Sequence, residues 1–255
     1  MSCQPTNTPA IETIDTNALR EKYRIERDRR MRSEGQEQYF RPTGQVADAY
    51  TVDPHLAVQP RAALAEDVDV VILGAGWGGV MAAYHLTQAG VTNFRNVDTA
   101  GDFGGVWYWN RYPGIQCDNE SYVYLPLLEE TGFMPSKKFA DGAEIQGYTR
   151  KVAEKYGFAD KALFHTQINA LRWDDSIARW RVGTNREDDI RARFVIIASG
   201  VLNMPKLPGI QGIDKFKGKV FHTARWDYSY TGGSYENPVL DKLAATSGAE
   251  LHILE

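Results

Sequence analysis

Cysteine, long uninterrupted apolar stretches and a charge surplus of one sign are all scarce in this chain. Its 255 residues carry 29 Lys and Arg against 33 Asp and Glu, a formal net charge of −4. So small an acidic balance gives no reason to expect nucleic acid as a partner. Only Cys3 and Cys117 are present, which fits neither a disulfide framework nor a zinc site and sets metal ligation aside. A reducing compartment follows as the default. The N-terminal stretch MSCQPTNTPAIETID has no basic start followed by an apolar run, so no secretory signal is visible and the expected location is cytoplasmic. The run from Val70 to Leu86 contains no Lys, Arg, Asp or Glu and superficially resembles a membrane span. Gly74, Gly76, Gly78 and Gly79 divide it into a strand and a helix, so no membrane span is expected.

What is present is organised around the stretch from Val68 to Gly114. Val68, Val70, Val71, Ile72 and Leu73 form a short, β-branched run stopped by glycine, the signature of a buried strand. Gly74, Gly76 and Gly79 follow in G-x-G-x-x-G spacing, and Val80 to Gly90 reads as a helix. In such a unit the first glycine makes the tight turn, the second admits a pyrophosphate to the backbone and the third packs helix on strand. The free N–H groups at the helix start face the phosphates. A second strand, Asn93 to Val97, ends at Asp98, where a dinucleotide site needs a carboxylate for a ribose.

Outside this unit, Met1 to Thr16 reads as a loose polar tail. Asn17 through Tyr39 reads as one charged helix with Leu19 and Tyr23 on one side, and seven basic residues against three acids between Arg20 and Arg32. That arm is either a contact for a partner or an anionic cofactor, or, in the plainer reading, a solvated helix strapped across the domain surface. Arg41 to Ala65, with Pro42, Pro54 and Pro60, has linker composition. Gly101 to Tyr124 is dense in glycine and aromatics without helical or strand period. Trp107, Tyr108, Trp109 and Tyr112 there are either core or the wall of a flat ring system. Ile145, Tyr148, Val152 and Tyr156 recur at helical spacing from Gly142 onward. Phe164 to Gly183 and Arg191 to Ala198 read as strands, with Trp173 and Trp180 as packing residues, and Ala198, Ser199 and Gly200 form a turn.

At Gly104 to Gly114 the sequence GGVWYWNRYPG resembles the segment with which Baeyer–Villiger monooxygenases wrap their FAD. A second stretch, FKGKVFHTARWD, is similar to that family's fingerprint at Phe216, Gly218, His222, Trp226 and Asp227. The resemblance implies that Gly74, Gly76 and Gly79 bind the FAD pyrophosphate and that Asp98, where the family more often carries Glu, holds the adenosine ribose. It implies FAD contacts from Val106, Trp107, Tyr108, Trp109, Asp118 and Tyr124, and places Gln116, Cys117 and Asp118 near NADP. Asp118 matches the aspartate that orients the family's catalytic arginine. The fingerprint implies a link between FAD and NADP domains that couples their movement.

The expected fold is therefore α/β: a Rossmann-like FAD-binding domain with a parallel sheet, helices and a small antiparallel β-meander, within an incomplete two-dinucleotide-binding-domain flavoprotein. Residues 1–65 form the tail, charged helix and linker, 66–205 the FAD-binding domain, and 206–255 the interdomain linker with the fingerprint. No second G-x-G-x-x-G follows Trp226, and the resemblance covers Asn17 to Leu243. Because the family completes its FAD domain with a later return of the chain, exposed apolar surface and a sheet edge are expected. The implied activity uses FAD and NADPH to insert one oxygen of O2 beside the carbonyl of an apolar cyclic or polycyclic ketone, giving an ester or lactone in secondary metabolism. Two alternatives stand beside it: a non-catalytic flavin-binding remnant or partner-binding module, and one half of a split enzyme completed by a second chain.

Overall fold

The computed structural model describes residues 15–40, 52–209, 211–212 and 215–245. The readings made for Cys3, Pro42 and residues 246–255 lie outside the described residues. Helix α1, Thr16–Arg30, opens where the Asp15 carboxylate accepts from the Asn17 and Ala18 amides, a good N-cap. It stops well short of the expected Tyr39. Met31 is already extended, and Gly35 takes the left-handed region at φ +52°, so the chain turns out of the helix where glycine makes that inexpensive. Its charges are partly settled within the helix, Arg24 bridging Glu21 and Asp28 while Arg29 pairs with Glu26. No side chain of α1 is buried, and Tyr23 is 72% exposed, which agrees with the solvated reading of this arm. The next element is the two-residue strand β1, Tyr39–Phe40.

The expected βαβ unit is the centre of the domain. Strand β2, Ala65–Leu73, buries Val68, Val70, Val71 and Ile72. Fully burying one such side chain contributes about 1.5–3 kcal/mol. Helix α2, Trp77–Gln88, begins three residues before the expected Val80, because Gly78 and Gly79 belong to its first turn rather than to the loop. Strand β3, Phe94–Val97, then runs parallel to β2, pairing Val70 with Phe94 and Ile72 with Asn96. Helix α3, Gly142–Lys155, presents Ile145, Tyr148 and Val152 to the core as their spacing predicted, and Tyr148 stacks on Phe133 with ring centroids 4.2 Å apart.

The remaining strands complete one sheet in the order β4-β3-β2-β7-β6-β5. Strand β4, Ala162–Leu163, lies parallel beyond β3. Strands β5, Ile168–Asp174, and β6, Arg179–Thr184, form the antiparallel meander, joined by Trp173 and Trp180, which face each other across it at 5.6 Å. Strand β7, Asp189–Ile197, returns parallel to β2, pairing Val71 with Val195. A last short strand, β8, Leu207–Pro208, pairs with β1. Beyond Ala192 strand β6 leaves β7, and Phe194 and Ile197 are 61% and 70% exposed. Parallel strands are ordinarily covered on both faces, so this half of β7 is the apolar sheet edge expected from the sequence.

The described end of the stretch with linker composition, just before β2, is bound tightly to the sheet through Arg61 and Leu64. Arg61 grips the fully buried Asp188 carboxylate with both guanidinium nitrogens at 2.6 Å, and the Leu64 amide and Thr184 hydroxyl also donate to it. Burial alone raises a carboxylate pKa, but these donors overcome it and hold Asp188 down at about 2. A depressed pKa stabilises the fold above the unfolded value near ~4 and that contribution is lost as the pH falls towards 2. Asp188→Asn is expected to cost about 3–5 kcal/mol by leaving Arg61 unpaired. Urea unfolding between pH 7 and 2.5 checks this, since the wild-type loss of stability below pH 4 should be markedly shallower in the variant.

Candidate functional site

The site is built where β2 ends. Gly74 has φ +111°, and a Cβ there would lie 2.3 Å from the Ala198 carbonyl oxygen at the end of β7. A Cβ on Gly79 would lie 1.8 Å from the Gly74 carbonyl oxygen. Both positions therefore demand glycine, one for its turn and close approach, the other for close packing of α2 against the strand end. Two side chains of β3 and its exit hold the turn in place. The buried Asn96 amide donates to the Gly74 carbonyl at 2.8 Å. Asp98 accepts from the Ala75 amide at 2.6 Å and from the Ala100 amide at 2.8 Å. Burial pushes the Asp98 carboxyl up from its ordinary pKa, and these backbone donors work against that shift.

Around this turn lies a cleft of about 250 Å³ with Gly74, Gly76, Asp98, Trp107, Trp109 and Tyr124 among its lining. The start of α2 opens into it, and the first amides of a helix have no partner within the helix. Gly105 approaches Gly76 so closely that a Cβ on it would come within 2.7 Å of the Gly76 Cα. The aromatic segment contains two single helical turns, Val106–Trp109 and Ser121–Tyr124, where the sequence showed no period. The first sets Val106, Trp107 and Trp109 on the cleft wall, and the Trp107 indole donates to the Tyr124 hydroxyl at 2.8 Å. The far wall runs from Ala198 through Asn203. Trp77 also lines the cleft, and its buried indole N–H has no hydrogen-bond partner among the described residues.

Some expected site residues lie elsewhere. Tyr108 is fully buried behind the wall, donating to the Asp53 carboxylate at 2.5 Å, and burial together with that acid drives its pKa up. Asp53 also meets a ring nitrogen of His165 at 2.8 Å. Asp118 does not line the cleft, although its charge reaches the Tyr124 hydroxyl, whose pKa is raised chiefly by burial. Cys117 is buried, its thiol pKa raised by burial, while Gln116 donates to Asp141 at 2.7 Å.

The fingerprint builds a local scaffold. Phe216 is 56% exposed and its ring covers Gly218, where a Cβ would come within 2.5 Å of it. His222 Nδ1 accepts from the Ala224 amide at 3.0 Å, and burial beside Arg225 lowers its pKa. The Trp226 indole donates to Thr231 and Asp227 pairs with Lys219 at 2.7 Å. From just beyond, the Tyr235 hydroxyl donates to the Trp107 carbonyl and that of Tyr228 to the Arg111 carbonyl, both near 2.7–2.8 Å. The stretch from Tyr228 to Tyr235 is thereby seated on the back of the aromatic wall. Asn96, Trp77, Asp53 and Tyr235 were not singled out from sequence, whereas Gly105 is the second glycine of the GGVWYWNRYPG stretch. Asn96 carries no local signal, since Arg95 stands beside it in the same short strand and Asn93 just before it.

The model of a known family, described as pyridine nucleotide-disulphide oxidoreductase, matches residues 71–234. A Baeyer–Villiger monooxygenase of Streptomyces coelicolor is 49% identical over 216 residues, covering 84% of this chain and 36% of that protein. A polycyclic ketone monooxygenase structure from the thermophilic fungus Thermothelomyces thermophila superposes with a TM-score of 0.82 at 39% identity, covering 89% of this chain and 39% of that one. The structure of OTEMO in complex with FAD and NADP superposes with a TM-score of 0.59 at 34% identity, over 66% of this chain and 32% of that one. This chain thus spans 32–39% of the length of these proteins.

Two glycine substitutions separate the site from ordinary helix. Gly79→Ala drives a methyl group into the Gly74 carbonyl and is expected to lower the unfolding free energy by at least ~2 kcal/mol. Gly147→Ala, in α3 with nothing within 4 Å of its added Cβ, is expected to stabilise by up to ~1 kcal/mol. Urea denaturation of both variants checks the pair.

Proposed function

The chain belongs to the pyridine nucleotide-disulphide oxidoreductase family and to its Baeyer–Villiger monooxygenase branch, and from that premise we propose that it builds the FAD-binding part of an NADPH-using monooxygenase. The reaction assigned to it inserts one oxygen atom of O2 beside the carbonyl of a cyclic or polycyclic ketone and gives an ester or lactone. The observation that carries this reading is the convergence of the glycine turn, the aromatic wall and the Ala198–Gly200 turn on one cleft.

The residues present fit FAD. The turn from Gly74 to Gly79 forms a cradle that a Cβ would fill, and the amides at the start of α2 suit a pyrophosphate. Asp98, besides clasping Ala75 and Ala100, faces the cleft with the remaining acceptor capacity of its carboxylate for ribose hydroxyls. The orphaned Trp77 indole N–H is a donor in need of an acceptor. Val106, Trp107, Trp109 and Tyr124 offer flat apolar surface to a ring system. Bound FAD would supply the electron transfer and oxygen activation, and the protein the binding and exclusion of water. Gln116, Cys117 and Asp118, on the Tyr124 side of the wall, are assigned to the approach of NADPH. Tyr108 and the fingerprint act indirectly on this reading, holding the wall and the linker rather than touching the ring.

An absorbance spectrum of the purified chain, followed by NADPH addition in air, tests the proposal. Bound FAD that heat releases, and its loss in Gly76→Val by at least about tenfold in affinity, is the expected result. Colourless protein that takes up no added FAD contradicts it.

A further inference from the structure

One buried carboxylate outside the cleft is tied to both of its ends. The Asp53 and His165 side chains are 1% and 10% exposed, and neither residue lines the cleft. A carboxylate has about four acceptor positions, and here each oxygen takes two donors. Asp53 Oδ1 accepts from the His55 and Leu56 amides at 2.8 and 3.3 Å, which folds the 53–56 stretch back on itself. Oδ2 accepts from the Tyr108 hydroxyl at 2.5 Å and from His165 Nε2 at 2.8 Å. Burial pushes this carboxyl up, but the four donors outweigh burial and hold it below its ordinary pKa.

The two donors on Oδ2 come from opposite ends of the cleft. Tyr108 stands between Trp107 and Trp109 in the single turn Val106–Trp109, and both tryptophans line the cleft. Its ring meets Trp109 and His55 edge-on at 5.3 and 5.4 Å, so the tether on its hydroxyl fixes how that turn is seated. His165 belongs to the other end. Its amide donates to the Ala100 carbonyl, and the Thr166 amide donates to that of Asp98, both at 2.9 Å; Asp98 lines the cleft. His165 is held at φ +49°, a left-handed conformation that persists in a residue other than glycine only where its surroundings fix it. The pair with Asp53 is one of the contacts that fix it. Gly101 makes the meeting possible, because a Cβ there would lie 2.6 Å from His165 Nε2 and 2.8 Å from Asp53 Oδ2.

We propose that Asp53 is a positioning residue for the dinucleotide site, bracing the ring end through Tyr108 and the adenosine end through His165, so that filling one end is felt at the other. This rests on the FAD reading of the cleft. A site already held in its bound geometry loses less on binding, and Asp53 supplies that without touching the ligand. Asp53→Asn keeps the shape but turns one acceptor oxygen into a donor. It then sets an N–H either against the Tyr108 and His165 donors or against the two amides.

Calorimetric titration of the flavin-free chain with FAD, ADP and FMN tests it, ADP probing the adenosine end and FMN the ring end. Tyr108→Phe is expected to weaken FMN at least about fivefold and to leave ADP within about twofold. His165→Asn, whose new side chain tolerates the left-handed backbone, is expected to do the reverse. Asp53→Asn should weaken both probes, and FAD by at least about tenfold. A purely structural role would move ADP and FMN alike in all three variants. In the wild-type protein, NMR of the Tyr108 and His165 rings gives a readout that stands even if a variant fails to fold. ADP should shift Tyr108 and FMN should shift His165, although neither ring lines the cleft. Equal losses of ADP and FMN in Tyr108→Phe or in His165→Asn, unchanged FAD affinity in Asp53→Asn, or rings that the remote probe leaves unmoved overturn the proposal and leave the FAD reading standing. Wild-type protein that binds none of the three overturns both.

Discussion

The close approach of three chain segments at the end of β2 is the constraint on which the rest of the structure depends. Gly74 touches the Ala198 carbonyl, Gly79 touches the Gly74 carbonyl, and Gly105 touches Gly76. No side chain fits between them, so the central strand, the helix that follows it, the last parallel strand and the aromatic segment are locked together without intervening atoms. Such contacts leave little room to relax, because packed interiors transmit displacement rather than absorb it. Asn96 and Asp98 then fasten the turn from the neighbouring strand through one carbonyl and one amide. The cleft is the gap that remains where backbone, rather than side chain, forms the floor.

A second layer of contacts holds the wall of that cleft from behind. Tyr108 is anchored on Asp53, which also meets His165 and accepts the His55 and Leu56 amides. Trp107 is held through its carbonyl by Tyr235. The aromatic segment is thus clamped between Asp53 on one side of the chain and Tyr235 on the other. Displacing either is felt at the residues facing the cleft. This gives the fingerprint residues a physical task, since His222 caps the turn Thr223–Arg225, and Trp226 and Asp227 brace and cap the turn Tyr228–Thr231 that carries Tyr228.

Much of this was legible in the sequence where the signal is local. The strand from Val68 to Leu73 was readable because its residues are β-branched and stopped by glycine, and α3 because Ile145, Tyr148 and Val152 keep helical period. The meander and the strand that returns along β2 were legible as short strands, although only the first half of that returning strand is buried. The end of α1 was misread because a run of charges has no period to mark where a helix stops, and Gly35 alone was too weak a signal. The start of α2 was misread because glycines in a first helical turn look like loop. Within the site, Gly74, Trp107, Trp109 and Tyr124 line one cleft, and Gly79 packs against the Gly74 carbonyl beside it. Tyr108 is buried behind the wall, and a segment without period gives no indication of which aromatic ring faces in and which faces out. The tie between Asp53 and His165 spans 112 residues, and no pattern along the chain announces it.

The central claim is that the glycine turn and Asp98 form a site for the pyrophosphate and adenosine of a dinucleotide. Titrating the flavin-free protein with FAD and, separately, with FMN tests it directly, because the two share the isoalloxazine ring and differ in the part that this turn holds. The account predicts that FAD binds at least about a hundredfold more tightly, roughly 2.7 kcal/mol. Equal affinity for the two would mean that the turn does not hold the dinucleotide, and would contradict it.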